Sequence, residues 1–86
     1  MKKWHVYILR CSDGTLYTGS TDDVQRRLAV HNSGKGAKYT RGRGPVELVY
    51  FEELDNCSSA LKREYAIKKL TRAEKLRLIY DKREDN

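Results

Sequence analysis

Cysteine is scarce in this chain, and long apolar runs are missing. Cys11 and Cys57 stand alone. They form neither a CxxC pair nor a zinc-ligand array, so they read as two reduced, small apolar side chains. No stretch approaches the roughly 18 to 20 apolar residues that a spanning helix needs. The start, Met1-Lys2-Lys3-Trp4-His5, leads into too short an apolar run for a secretory signal. A cytoplasmic location with no membrane partner is the expectation. Internal repeats and interdomain linkers are also absent, and 86 residues provide for one domain with one modest core. That domain is expected to span residues 1–86, with a core over about 4–70 and a C-terminal helix over about 71–82.

Positive charge, by contrast, is abundant. Eighteen Lys and Arg against twelve Asp and Glu leave a formal net charge of +6. A surface of that sign suits a phosphate backbone, and nucleic acid is the expected partner, DNA ahead of RNA.

Trp4 to Cys11 carries β-branched, aromatic and aliphatic residues, and Thr15 to Thr18 resumes that character after Asp13-Gly14. The pattern reads as a β-hairpin with two competing registers. A two-residue Asp-Gly turn pairs Ser12 with Thr15 and sends Tyr7 and Tyr17 to opposite faces. A three-residue Ser12-Asp13-Gly14 loop pairs Leu9 with Tyr17 and Tyr7 with Gly19, which puts both phenols on one face. Any site that uses both tyrosines requires the second register.

Thr21 or Asp22 can cap a helix running to about His31, on which Arg27 and His31, four apart, share a face. Asn32 to Pro45 then holds four of the six glycines together with Lys35, Lys38, Arg41 and Arg43, and reads as a mobile basic loop. Val46 to Leu54 is a third strand. A helix opened by Asn56 or Ser58 follows to about Leu70, and Thr71-x-x-Glu74 is a capping box for another, with Ala73, Leu76, Ile79 and Tyr80 on one stripe and Asp81 to Asn86 fraying. The expected fold is α/β of the α+β kind, a three-stranded, mainly antiparallel sheet flanked by helices in the order ββαβαα.

Singly, the polar candidates are unremarkable. Tyr7 and Tyr17 would be strand aromatics, Arg27 a solvated helix residue, His31 a helix-end cation, and Glu64 the partner of Lys68 four residues on. Together, His5-Val6-Tyr7, Tyr17-Thr18-Gly19, Arg27, His31 and Glu64 resemble the GIY-YIG nuclease family in order and spacing, over roughly Trp4 to Leu70. The small single-domain members are the nearest likeness, and Gly36-Ala37-Lys38-Tyr39-Thr40 and Arg63-Glu64-Tyr65 resemble them too.

What the resemblance implies is a metal-dependent endonuclease that hydrolyses phosphodiester bonds in DNA. Tyr7, Tyr17, Arg27 and His31 would be the catalytic set, with Tyr17 the general base. Glu64 would hold one divalent ion, Mg2+ or Mn2+. Arg27 would grip the scissile phosphate through its planar fork. Lys35, Lys38, Tyr39, Arg41, Arg43 and Lys68 would contact nucleic acid, with Tyr39 suited to stacking on an exposed base. No appended specificity domain is present, so selection would follow substrate shape or come from a protein partner. His5 and Thr18 replace a glycine and an isoleucine of the family's name motifs, and Ser20 stands where some members carry lysine and a phosphate contact. Two other classes fit the same chain, a DNA- or RNA-binding module that keeps the fold without cutting, and an adaptor that uses the last helix.

Overall fold

A computed structural model of the protein describes residues 3–36 and 40–84. The run Val6-Tyr7-Ile8-Leu9 is buried throughout, as expected of a central strand covered on both faces. It lies in β1 (Trp4–Arg10), between β2 (Leu16–Thr21) and β3 (Glu47–Leu54), and both pairings are antiparallel.

The loop between β1 and β2 is the three-residue form. Cys11 N donates to Thr15 O at 2.8 Å, Gly14 N donates to Cys11 O at 2.9 Å, and Gly14 has φ 85°. That left-handed conformation favours glycine. Asp13 adds to the turn by accepting from Thr15 N and Oγ1, at 3.1 and 2.6 Å. The resulting register pairs Leu9 with Tyr17 and Tyr7 with Gly19, so the two phenols share a face.

Alternation along β1 splits the core in two. Val6 and Ile8 meet Tyr50, Ala60, Ile67 and Ile79, so α2 (Cys57–Lys68) and α3 (Arg72–Glu84) cover that side. Tyr7, Leu9 and Cys11 point the other way, toward Val46, Tyr17 and Leu28, the last of these on α1 (Val24–Asn32).

Asp23 caps α1 through its side chain, which accepts from Arg26 N at 3.1 Å. The expected caps, Thr21 and Asp22, are otherwise engaged: Thr21 closes the β1–β2 ladder opposite His5, and Asp22 pairs with Arg26. At its other end α1 stops in a Schellman turn, with Lys35 N donating to Val30 O and Gly34 N to His31 O. His31 therefore sits in the last turn. Asn56 caps α2, and the Thr71–Glu74 capping box forms with both reciprocal bonds, at 2.9 and 3.2 Å.

The residues of the α3 stripe are unequally buried: Ile79 is buried and Leu78 beside it packs on the core, but Leu76 and Tyr80 are 44% and 57% exposed. A 3.6-residue period sets the width of a stripe without fixing how far the helix is rolled against its neighbours. Leu76, Ile79 and Tyr80 instead line a cavity of about 210 Å³ with Arg10, Leu16, Glu47 and Val49. The same helix runs on through Glu84 where fraying was expected.

Thr18 lies 4% exposed on the helical side, and its hydroxyl has no hydrogen-bond partner among the described residues. An orphaned buried hydroxyl costs about 1–3 kcal/mol. Thr18→Val keeps the branched shape and removes the orphan, so it is expected to stabilise the fold by about 1 kcal/mol. A melting temperature about 4–8 °C higher would register the gain; a lower one would mean that the hydroxyl is satisfied.

Candidate active site

On the α1 side of the sheet, hairpin and helix bring four of the expected residues together. Tyr7 is 3% exposed and His31 2%. Tyr7 Oη and His31 Nε2 are 3.1 Å apart, and His31 Nδ1 lies 2.8 Å from Thr40 Oγ1. The Tyr17 ring completes the cluster, with centroids 5.3 Å from His31 and 6.5 Å from Tyr7. Unlike Tyr7, it is only half-buried. The Arg27 guanidinium stands beside the Tyr7 phenol. Burial pushes the Tyr7 pKa up, with Arg27 pulling against it and the nearby charges of Tyr17 and Glu64 adding to the rise.

Burial also pushes the His31 imidazole below its ordinary range, and the Arg27 charge adds to that. A neutral ring has one donor and one acceptor nitrogen. If Tyr7 donates to Nε2, Nδ1 donates to Thr40 Oγ1, and a chain Tyr7–His31–Thr40 runs through the site. Protonation would make both nitrogens donors and cost Nε2 the Tyr7 proton.

The sign of the pH effect follows from linkage. The unfolded chain takes up this proton near pH 6.5 and the folded one only at lower pH, so stability is lost as pH falls below about 6.5. The lowered carboxylates Asp13, Asp55 and Glu74 act in a separate window, beginning at their ordinary values of 3.8 to 4.5 and extending downward. Thermal melts of wild type and His31→Gln between about pH 7 and 5 should therefore diverge, with wild type losing more. Parallel curves would show that His31 does not titrate as described.

Glu64 reaches the site from the opposite side of the sheet, at the β2 edge. Its side chain is 15% exposed and lies between Ala60 and Ile67, both fully buried on α2. Ser20 Oγ donates to Glu64 Oε1 at 2.6 Å, and Lys68 Nζ lies 2.6 Å from Oε2. Behind it, Arg63 Nε donates to Glu52 Oε1 at 2.6 Å, and Tyr50 donates to Glu52, which ties α2 to β3.

The basic loop is better anchored than expected. Thr40 is 1% exposed beneath His31. Asn32 brackets Val46 through its N–H and C=O, and Arg43 pairs with Asp13 at 2.6 Å while its carbonyl accepts from Ser12. Lys35 and Arg41 are exposed, the latter donating to Gly36 O at 3.3 Å. Lys38 and Tyr39 lie outside the described residues.

A family profile described as the GIY-YIG catalytic domain matches residues 3–77. The chain belongs to the GIY-YIG family. A UPF0213 protein of Clostridium perfringens is 60% identical over 78 residues, which cover 91% of this chain and 84% of that protein. One from Halobacterium salinarum is 63% identical over 71 residues, 83% of this chain and 92% of that protein. The solution structure of a UPF0213 protein from Bacillus halodurans is similar with a TM-score of 0.59 at 50% identity, covering 91% of this chain and 83% of that one. An E. faecalis protein gives 0.60 at 43% identity, covering 91% and 84%. Membership in GIY-YIG places the chain in a nuclease family, whose members act on nucleic acids. No helix among the described residues is long and apolar enough to cross a membrane.

Three contacts of this cluster have no local signal in the sequence. Thr40 was noted only as part of a loop segment, and nothing local to it signals a bond to a histidine nine residues earlier. Gly36 is the second: a Cβ there would lie 2.3 Å from His31 Nδ1. Ser20, which stands where some members carry lysine, is the third: its hydroxyl donates to Glu64.

Proposed function

We propose that this GIY-YIG chain is a metal-dependent endonuclease on DNA, selective for substrate structure rather than sequence. The observation that carries the reading is the hairpin register, which sets both phenols on one face against the buried His31, with Arg27 beside Tyr7. Phosphodiester hydrolysis needs a deprotonated water, charge relief on the phosphoryl oxygens and a proton for the leaving oxygen. Tyr17, the more accessible of the two, accepts the proton of the attacking water as the phenolate, after its own hydroxyl proton has left to solvent. Arg27 grips the phosphate through its planar fork. Tyr7, held by His31 and Thr40, orients the water and the Tyr17 ring.

Glu64 fits a hard cation. A single carboxylate backed by a serine hydroxyl suits an ion that keeps most of its waters, and no group of three or more His, Cys, Asp or Glu is poised for a metal among the described residues. Mg2+ or Mn2+ bound there would supply positive charge to the phosphoryl oxygens and an acidic water for the leaving 3′ oxygen. Lys35, Arg41 and Lys68 serve as backbone contacts. Specificity comes from substrate shape or from a protein partner.

A second reading, a binding module without turnover, draws support from Glu64 itself, whose two oxygens already carry Ser20 and Lys68. A labelled panel of single-stranded, duplex and branched DNA and RNA, with Mg2+, Mn2+ or EDTA, separates the two. The nuclease cuts at least one substrate only with metal, and Glu64→Ala loses about 100-fold or more. Cutting that survives both Glu64→Ala and EDTA would sink the mechanism. Salt-sensitive binding without any cutting would favour the binding module.

A further inference from the structure

The geometry points to Lys68 as a tethered cation that fills the metal position of Glu64 in the free protein and moves onto a backbone phosphate when metal binds. This rests on the reading above, in which Glu64 holds the ion.

The two partners are unequally held. Glu64 is 15% exposed, at a spacing that puts it on the same face of α2 as the buried Ala60 and Ile67, and bonded through Oε1 to Ser20 of β2. Lys68 is 50% exposed at the C-terminal end of the same helix, and its ammonium sits on a flexible four-carbon stem. The carboxylate is therefore the fixed member and the ammonium the movable one. An ordinary exposed pair four apart would leave both ends loose and matter little.

Nζ lies 2.6 Å from Oε2, while Ser20 occupies one lone pair of Oε1, so an ion that binds through Oε2 meets the ammonium there. A hard divalent ion binds oxygen at about 2.0–2.1 Å. The ammonium and the ion cannot share that side of the carboxylate, and their charges repel. Metal binding thus expels Lys68 toward solvent. Once released, it is one more cation within reach of the phosphate that the site binds. Without metal, the same pairing leaves Glu64 locally neutralised, so it repels incoming nucleic acid less.

Two linked consequences can be measured. Free protein binds metal more weakly than its carboxylate would allow alone, and metal and nucleic acid strengthen each other's binding, a coupling that is reciprocal by necessity. Each phosphate neutralised adds about 0.9 to the slope of log K against log salt for duplex DNA and about 0.7 for single strands.

The test is a Mn2+ titration without nucleic acid, followed by the magnetic resonance signal of free Mn2+. It compares wild type, Glu64→Gln, Lys68→Met, Lys68→Arg and, as a charge control on α3, Lys75→Met, after circular dichroism has shown each variant folded. Lys68→Met should bind Mn2+ on the order of tenfold more tightly, Lys68→Arg and Lys75→Met within about twofold of wild type, and Glu64→Gln should lose the site. In filter binding, metal should steepen the salt slope of wild type by about one contact and leave that of Lys68→Met unchanged. Unchanged Mn2+ affinity in Lys68→Met, with the site still lost in Glu64→Gln, would overturn the inference and leave the nuclease reading standing. Mn2+ binding that ignores Glu64 would overturn both.

Discussion

Gly19→Ala is expected to remove cleavage almost completely while the protein stays folded. A Cβ at Gly19 would lie 2.6 Å from the Tyr7 hydroxyl oxygen, 2.7 Å from its Cζ and 3.2 Å from Tyr17 Cε2. Real side chains do not approach so closely, so something must shift. The Tyr7 ring has nowhere to retreat, being 3% exposed and packed at 6.1 Å against His31. Only its hydroxyl end can give way, and that end holds the bond to His31. Forcing extra volume into a packed site costs about 1–3 kcal/mol. Misplacing a catalytic group by about 1 Å costs about 100-fold in rate. A thermal melt that shows a modest loss, beside single-turnover cleavage reduced by about 100-fold or more, is the predicted pair of results. Wild-type cleavage in Gly19→Ala would mean that Tyr7 has no positional role.

Tyr7→Phe should act differently, on stability as much as on rate. It removes the partner of His31 Nε2 inside a site where His31 is 2% exposed. A buried polar atom left unpaired costs about 1–3 kcal/mol. Thr40→Val removes the partner at the other nitrogen and should cost a similar amount. Because the two bonds share one ring and one proton, the effects should not add: the double variant should lose less than the sum of the singles. Denaturant melts of the three variants would decide this. Strict additivity would show that the chain from Tyr7 to Thr40 is not a unit. Cleavage by Tyr7→Phe should fall by about 10- to 100-fold, since the ring remains and only its hydroxyl is gone.

Much of this architecture was legible from residue types. Asp13-Gly14 between two β-rich runs pointed to a hairpin, and a shared tyrosine face required the three-residue loop that Gly14 at φ 85° provides. Asn56 and the Thr71–Glu74 box marked two helix starts because side-chain capping is a local interaction. The α1 cap was displaced by one or two residues to Asp23, since Thr21 is claimed by the ladder with β1, a contact between strands that no local rule reveals. Glu64 follows Ala60 by four and precedes Ile67 by three, which puts it on the face of α2 whose two apolar neighbours are fully buried.

What stayed hidden depends on long-range contact. The Ser20–Glu64 bond spans 44 positions and crosses from β2 to α2. Thr40 becomes part of the site only because the loop folds back under α1, fastened by Asn32 on Val46 and by Arg43 on Asp13. A glycine- and lysine-rich stretch looks mobile when composition alone is read. The roll of α3 was invisible for a similar reason: Leu78 and Ile79 pack inward because the sheet offers its apolar surface there.

The measurement that tests the central claim most directly is single-turnover cleavage by wild type and Tyr17→Phe on the best substrate of the panel, with Mg2+, beside binding of the same substrate. Tyr17 is half-buried at the open side of the cluster, and its loss should leave binding within about twofold while cleavage falls by about 100- to 10,000-fold. Cleavage by Tyr17→Phe at the wild-type rate would contradict the account, because the shared tyrosine face would then be a packing arrangement and not the place where the bond is cut.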